Sequence, residues 1–470
     1  MLTENIIKTL QKIVGSENVD CKKSSLLVYS YDATPQFQSP PDAIVSPRNT
    51  KEVSEIIILC NKHHIPIVPR GSGTNLSAGT TPLEGGIVLL FKHMDQILEI
   101  DEENLTITTQ PGIITKDLIE FVESKGLFYP PDPSSMKISQ IGGNINENSG
   151  GLRGLKYGVT RDYVLGLEIV LPNGDIIRTG GKLAKDVAGY DLTRLFVGSE
   201  GTLGIITEAT LKLIPKPETK KTMLALYQDL DAAARSVSAI IANRIIPATL
   251  EFLDQPTLQV VEDFAQIGLP TEVKAVLLIE QDGSPAIVEK DMNKIADICR
   301  ENNAVEVSIA KTYEEAEALT TARRAALSAL ARLKPTTILE DATVPRSEIA
   351  NMVKAIEEIA QKHHVKICTF GHAGDGNLHP TCLTDIRNEE EIERVEKAFE
   401  EIFHKAIELG GTITGEHGVG AMKSAYLHLK VGSAGVEAMK QIKHSLDPNN
   451  IMNPGKIFAK SERKRVVVAR

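Results

Sequence analysis

The sequence predicts an α+β protein made of two units. Runs such as Leu105-Thr106-Ile107-Thr108-Thr109 and Leu211-Lys212-Leu213-Ile214 alternate in the manner of half-buried strands. Long stretches at 347–364 and 389–409 instead carry apolar residues at helical spacing. Pro215-Lys216-Pro217 lies between the two sets, where prolines stiffen a linker and forbid helix continuation. With 470 residues, each unit is long enough to bury its own core.

Residues 1–40 read as a helix, with Ile6, Leu10 and Ile13 on one face, followed by a link. The first unit, 41–217, has helices at 52–63 and 116–125, the second stopped by Gly126. A short strand from Ile65 to Val68 leaves into Pro69-Arg70-Gly71-Ser72-Gly73-Thr74-Asn75-Leu76. Gly71 and Gly73 are free to take positive φ there, so successive backbone N–H groups can turn inward around a phosphate. That points to a nucleotide cofactor. A Rossmann fingerprint is excluded, because Leu76 replaces its third glycine and Ser77 to Gly86 is not helical in pattern.

The second unit, 218–440, alternates strands such as Lys274 to Glu280 with amphipathic helices. The helix at 347–364 buries Ile349, Met352, Val353, Ile356 and Ile359; that at 389–409 buries Ile392, Val395, Phe399, Ile402 and Phe403 before Gly410-Gly411. This pattern predicts a sheet covered on one side by helices. A C-terminal segment, 441–470, follows, and Lys460 to Arg470 reads as a solvated basic tail.

Composition narrows the function. The apolar share of 42% and charged share of 24% are those of an ordinary globular protein, and a net charge of −10 argues against nucleic acid. No apolar run has the length of a membrane span and the start lacks a signal-peptide pattern, so a cytoplasmic location is expected. The five cysteines form no Cys-x-x-Cys pair, which leaves no iron–sulfur ligand set and fits reduced thiols.

Gly371-His372-Ala373-Gly374-Asp375-Gly376-Asn377-Leu378-His379 follows a predicted strand, Val365 to Phe370, and its glycines rule out a helix. Two histidines flanking a tight loop can converge across it. Thr412 to Thr414 reads as another strand and runs into Gly415-Glu416-His417-Gly418-Val419-Gly420. If the two strands lie side by side, Glu416 joins His372 and His379. Two imidazoles and a carboxylate on a divalent cation, Zn, Mn or Fe, leave coordination positions open for substrate. The same set would suit a zinc hydrolase, a reading that leaves the glycine loops unexplained.

Three further motifs complete a pattern: Pro131-Asp132-Pro133-Ser134-Ser135, Ile141-Gly142-Gly143-Asn144-Ile145-Asn146-Glu147-Asn148-Ser149-Gly150-Gly151, and Gly198-Ser199-Glu200-Gly201-Thr202-Leu203-Gly204-Ile205-Ile206. With the Gly71 loop they resemble the FAD-binding domains of the vanillyl-alcohol-oxidase/PCMH superfamily. The second unit resembles the cap of FAD-linked 2-hydroxy-acid dehydrogenases, the group that includes the catalytic subunit of bacterial glycolate oxidase and the D-lactate dehydrogenases. That resemblance implies a PCMH-type FAD-binding domain of two subdomains and an α+β cap with a helix-covered antiparallel sheet. It places FAD against Pro69, Arg70, Gly71, Ser72, Gly73, Thr74 and Asn75, and against Pro133, Ser134 and Ser135. It adds Gly142, Gly143, Asn144, Asn148, Gly150 and Gly151 from the second glycine loop, then Glu200, Gly201, Gly204, Ile205, Ile206 and Asn453. A histidine that carries the flavin covalently in many relatives is replaced here by Thr74, so FAD is expected to be held without a covalent bond.

Carried over by position, His372, His379 and Glu416 ligate the metal, His417 is the base and Arg323 holds the substrate carboxylate, with Arg324 as its neighbouring alternative. Leu327, Leu339 and Thr381 stand where hydroxyglutarate enzymes carry polar contacts, so a small monocarboxylate is expected. D-Lactate oxidised to pyruvate leads, with glycolate next. Electrons would pass to an electron-transfer flavoprotein, either alone or in a confurcating complex that reduces NAD⁺, or to quinone or iron–sulfur companion subunits. A non-catalytic flavoprotein subunit is the remaining alternative.

Overall fold

The computed structural model describes residues 2–34 and 36–458, so the expected tail from Lys460 to Arg470 lies outside the described residues. The first half contains two larger sheets and a two-stranded pairing of Leu127–Phe128 with Ile214–Pro215. One has the order Val19–Asp20, Ala43–Val45, Ile87–Leu90, Ile67–Arg70, and its last three strands are parallel. Helices Glu4–Val14 and Thr50–Lys62 press Ile6, Leu10, Val14, Val53, Ile56, Ile57 and Cys60 onto it. The other is antiparallel, in the order Ile97–Asp101, Thr106–Thr109, Ile205–Lys212, Val164–Val170, Ile176–Gly180. Helices Thr115–Glu123 and Ile141–Glu147 share its core through Leu118, Val122, Ile141 and Ile145.

Two local expectations change here. The strand runs Ile67–Arg70, so Pro69 and Arg70 belong to it and the loop begins at Gly71; of the two glycines only Gly73 has positive φ, 74°. Gly142 and Gly143 lie in the first turn of a helix rather than in a loop. The reason is close approach: a Cβ on Gly142 would stand 2.6 Å from the Pro111 Cβ, so glycine lets the helix settle on that segment.

The second half is dominated by one antiparallel sheet. Its order is Glu306–Ile309, Thr219–Tyr227, Ala275–Gly283, Thr249–Asp254, Ile367–His372, Asn377–Thr384, Thr336–Leu339, with Ala342–Thr343 also pairing on Asn377–Thr384. Helices Leu230–Ala242, Pro285–Glu301, Ile349–His363 and Glu389–Glu408 cover one face, onto which Met223, Ala225, Leu250, Phe252, Leu277 and Ile279 point. The alternate residues Leu226, Leu253, Val276 and Phe370 point the other way, against helices Gln255–Ala265, Tyr313–Arg324 and Ala326–Leu330. Both faces are therefore covered, instead of the one expected, because the strands are apolar on both sides. The stretch 412–414 is not a strand of this sheet: Thr412 makes only a single bridge, to Thr343.

The chain end returns to the first half. Ile67 N–H donates to Ile451 O at 2.7 Å and Asn453 N–H to Ile67 O at 2.8 Å. Lys443, buried at the end of helix Leu427–Leu446, donates to Thr202 O (2.7 Å) and Met452 O (2.8 Å) and pairs with Asp447. Asp447 in turn accepts from Ile451 N (3.0 Å) and Met452 N (2.8 Å). Removing one partner of a buried pair leaves the other charge uncompensated, at about 3–5 kcal/mol. Asp447→Ala is expected to lower the thermal unfolding midpoint sharply, while substitution of the exposed Glu437 leaves it unchanged, as differential scanning calorimetry would read.

Candidate active site

The hairpin Ile367–His372/Asn377–Thr384 supplies two imidazoles from one face of the sheet. His372 pairs with Asn377 and Phe370 with His379, so the period-two alternation turns His372, Phe370 and His379 the same way. Glu251 joins them from the neighbouring strand, whose register sets Phe252 opposite Gly371 and Leu253 opposite Phe370. Glu416 arrives from the segment after helix Glu389–Glu408. Its Oε1 lies 3.1 Å from His372 Nε2 and 3.3 Å from His379 Nε2, and the three ligand atoms fall within 4.8 Å of one another. The structure thus brings together the three residues expected to hold a cation, although not by the strand pairing expected for Glu416.

Two buried carboxylates that the sequence did not single out hold this arrangement. Glu251 Oε1 stands 2.7 Å from His372 Nδ1, and its Oε2 lies 2.5 Å from Arg323 Nη2. The first contact leaves His372 Nε2 to face Glu416, the usual way a carboxylate orients a ligand imidazole. Burial opposes charge on both Glu251 and His372. Even so, Arg323 and His372 hold the Glu251 carboxyl below its ordinary value, while Glu251 and Glu416 hold the imidazole well above its own. Arg323 is 3% exposed and stacks over Phe370 with its guanidinium 4.8 Å from the ring centre. Arg324 is occupied elsewhere: it donates to Asp132 O at 3.0 Å and pairs with the Asp132 carboxylate.

Asp341 is the second. Its Oδ2 accepts from Thr414 Oγ1 (2.9 Å), Gly415 N (2.8 Å), Glu416 N (2.9 Å) and His417 N (2.9 Å). One oxygen thereby fixes the backbone that carries both Glu416 and His417. The His417 ring stacks on His379, centroids 5.1 Å apart, and burial pushes its pKa down to about 3, so it is neutral at ordinary pH. Glu251 and Asp341 carry no local sequence signal; only their alternation with buried apolar neighbours, as in Leu250-Glu251-Phe252, could have marked them as buried charges in need of partners.

The glycine-rich half meets this site across one cleft of about 490 Å³. Ser72, Gly73, Thr74 and Asn75 line it together with Pro133, Ser134, Ser135 and Asn144, and so do Arg323, His379, Glu416 and His417. A narrow chamber of about 50 Å³ is walled by Pro69, Arg70, Gly142, Glu200, Gly201, Gly204, Ile205, Ile206 and Asn453. Gly71, Gly143 and Glu147 belong to both cavities, so the two are continuous. Asn148, Gly150 and Gly151 line neither: Asn148 caps helix Ile141–Glu147 in a left-handed conformation and accepts from Arg161 N at 2.9 Å, Gly150 packs on Glu416 and Gly151 on Asp132. The Glu200 carboxylate accepts from Val419 N (2.7 Å) and Gly420 N (2.6 Å), which ties it to the cap.

The cavities suit a large polar cofactor. Arg70 Nε, Asn75 Nδ2, Gln140 Oε1, Glu147 Oε2 and Asn453 Oδ1 are shut off from solvent without a protein partner, and all five belong to lining residues. Each such group costs about 1–3 kcal/mol unless something bonds it. Residues 216–457 match the family of FAD linked oxidases, C-terminal domain, and residues 41–180 match the FAD binding domain family. The chain belongs to the FAD-linked oxidase family. It is 73% identical over 470 residues, the whole of both chains, to glycolate oxidase subunit GlcD of Bacillus subtilis (strain 168). It is 35% identical over 459 residues to D-lactate dehydrogenase of Anaerostipes hadrus, covering 95% of this chain and 94% of that one. Among solved structures, p-cresol methylhydroxylase with substrate bound superposes with a TM-score of 0.81 over 97% of this chain and 98% of that chain, at 18% identity, a likeness of fold. The expected α+β PCMH-type architecture and the family resemblance are thereby both borne out. The FAD binding domain match makes FAD the cofactor, and the unpartnered groups just named would suit a group of that kind.

Asp341 yields a prediction with a defined sign. Burial would raise its carboxyl, yet the facing His417 and Lys423 hold it below the ordinary 3.8. The carboxylate therefore stabilises the fold fully above that value, and the contribution is lost only as pH falls through the lower, folded-state pKa. Asp341→Asn should lower stability at pH 7 by about 3 kcal/mol, with the gap to wild type closing in acid, and should raise amide hydrogen exchange at Gly415, Glu416 and His417. Unaltered exchange at those three amides would contradict the assignment.

Proposed function

We propose that this chain oxidises a small 2-hydroxy monocarboxylate to the 2-oxo acid, with glycolate the first candidate and D-lactate the second. The observation that carries the reading is the single cleft lined both by the glycine loop of an FAD-binding domain and by His379 and Glu416 of the His372–His379–Glu416 cluster. The full-length identity of 73% to a protein named glycolate oxidase subunit GlcD sets glycolate ahead of the D-lactate first expected, and the 35% relative keeps D-lactate in view.

FAD, when bound, supplies the two-electron acceptor. A divalent cation held by His372, His379 and Glu416 supplies the Lewis acidity that makes a hydroxyl easier to deprotonate. His417, neutral and with no hydrogen bond at Nδ1, takes the hydroxyl proton. Arg323 faces the same cleft, its Nε making no hydrogen bond, and orients the carboxylate. Glu251 keeps that guanidinium partly neutralised, which tempers its pull on any one anion. Leu327, Leu339 and Phe370 form an apolar wall, and Arg324 is already paired, so a second carboxylate would lack a cation there. Thr74, at the cleft, offers no imidazole for a covalent link, so FAD is held non-covalently.

Electrons leave to a partner protein. The word subunit in the name of the 73% relative supports companion subunits as acceptors, with an electron-transfer flavoprotein as the second option. No helix among the described residues is long and apolar enough to cross a membrane.

Anaerobic mixing of the purified yellow protein with hydroxy acids tests the reading. Glycolate and D-lactate should bleach the flavin, L-lactate much more slowly. Chelation, or His372→Ala, should slow bleaching by about 100-fold or more and lower the bound metal measured by elemental analysis. A colourless protein, or a flavin bleached by none of these acids, would remove the proposal. Bleaching that survives chelation would remove the metal alone.

A further inference from the structure

Glu147 ends the helix Ile141–Glu147, and its carboxyl group stands where the two cavities join. Its Oε2 has no hydrogen-bond partner and no access to solvent. Glu200 is its neighbour. A Cβ on Gly418 would come within 2.2 Å of Glu147 Oε2 and 3.1 Å of Glu200 Oε1, so both carboxyl groups crowd one face of one glycine. Burial pushes the Glu200 carboxyl above its ordinary value, but it has support as an anion: its oxygens accept the backbone N–H groups of Val419 and Gly420, and Lys456 and Lys423 act on it from further off. Glu147 has no such support.

Two carboxyl groups this close, both out of water, do not ionise together; one proton stays on the pair. The third acid in reach, Asp32, is pushed above its ordinary value by burial, but it accepts from Thr34 N (2.9 Å) and Thr80 N (3.0 Å), bonds that favour its charged form. Burial first, then Glu200, then Asp32 push the Glu147 carboxyl well above its ordinary range, with only the Asn75 side chain opposing. Of the three, Glu147 is the acid whose Oε2 accepts no hydrogen bond and the one that faces both cavities, so the geometry favours it as the holder of the proton.

We propose that Glu147 is a cofactor-contacting residue whose carboxyl group, bearing the single proton of the Glu147–Glu200 pair, donates a hydrogen bond to FAD in the joined cavities. The proposal rests on FAD occupying these cavities, and it is independent of which acid is oxidised. A neutral acid in a dry site is a strong donor that asks for no counter-ion. Such a donor is worth more against acceptor atoms that gain negative charge when the cofactor takes up electrons.

Three forms of the full chain decide it: wild type, Glu147→Gln, which keeps a donor, and Glu147→Leu, which keeps the bulk alone. FAD titrated into the stripped proteins should bind about tenfold more weakly to the Leu form and within about twofold of wild type to the Gln form. The flavin midpoint potential, set with dithionite and reference dyes, should fall in the Leu form and hold in the Gln form. Infrared spectra of the oxidised and reduced wild type should differ in a protonated-carboxyl band that Glu147→Gln removes. Equal FAD affinity and potential in the Leu form, a Gln form as impaired as the Leu form, or a wild type without that band would each overturn the proposal. Should the Leu form not fold, the infrared comparison of wild type with the Gln form decides by itself. Failure of the substrate reading would show as a flavin that dithionite reduces and hydroxy acids do not, a result that leaves these three measurements standing.

Discussion

The register of one hairpin governs the site. Phe370 opposite His379 and His372 opposite Asn377 put both imidazoles on the sheet face that looks toward the glycine-rich half. A slip of one residue would turn every one of these side chains into the other core, which is packed by four long helices. The tight turn at Ala373–Gly376 fixes that register. A Cβ on Gly376 would fall 2.0 Å from Val344 O, and a Cβ on Gly371 2.4 Å from Asn377 O, so both positions admit only a glycine. The glycines read as a tight loop are what makes the geometry unique.

Charge in this interior is organised by carboxylates with more than one partner. Glu251 spans His372 and Arg323, Asp341 gathers four donors from 414–417, and Glu200 crosses from the flavin half to Val419 and Gly420. An isolated buried carboxylate would be costly, and each of these is offset by contacts that at the same time position a functional group. The cost of desolvation is turned into orientation. It also explains why both arginines of the Arg323-Arg324 pair are spoken for, one by Glu251 and the other by Asp132, so that each guanidinium is held in place.

The cleft belongs to neither half alone. Its walls come from the Gly71 loop, the Pro133-Ser134-Ser135 segment, the helix at Arg323 and the Glu416 segment. Asn453 adds a further tie, donating to Gly79 O and Glu200 O at 2.8 Å each, which draws the chain end in beside the cofactor chamber. Residues separated by hundreds of positions therefore share one ligand-sized volume.

Much of this was legible beforehand. Helix faces such as Ile349, Met352, Val353, Ile356 and Ile359 could be read because burial follows a local period of 3.6, and the glycine and histidine motifs because their residue types have few other uses. Details that depend on packing were misread. Gly142 looked like a loop glycine but serves close approach in a helix, Thr412 looked like a strand but makes one bridge, and the sheet proved covered on both faces. Glu251, Asp341 and the Glu147–Glu200 pair were invisible, since an acidic residue declares nothing until its neighbours are known. The amino-acid order alone determined the family, the α+β class and the identities of the three clustered side chains, all of which reside in short contiguous motifs. The tertiary structure decided which carboxylates steer them, which acid holds each arginine and which acids are buried side by side, because those outcomes depend on desolvation and on distances between segments far apart in the chain.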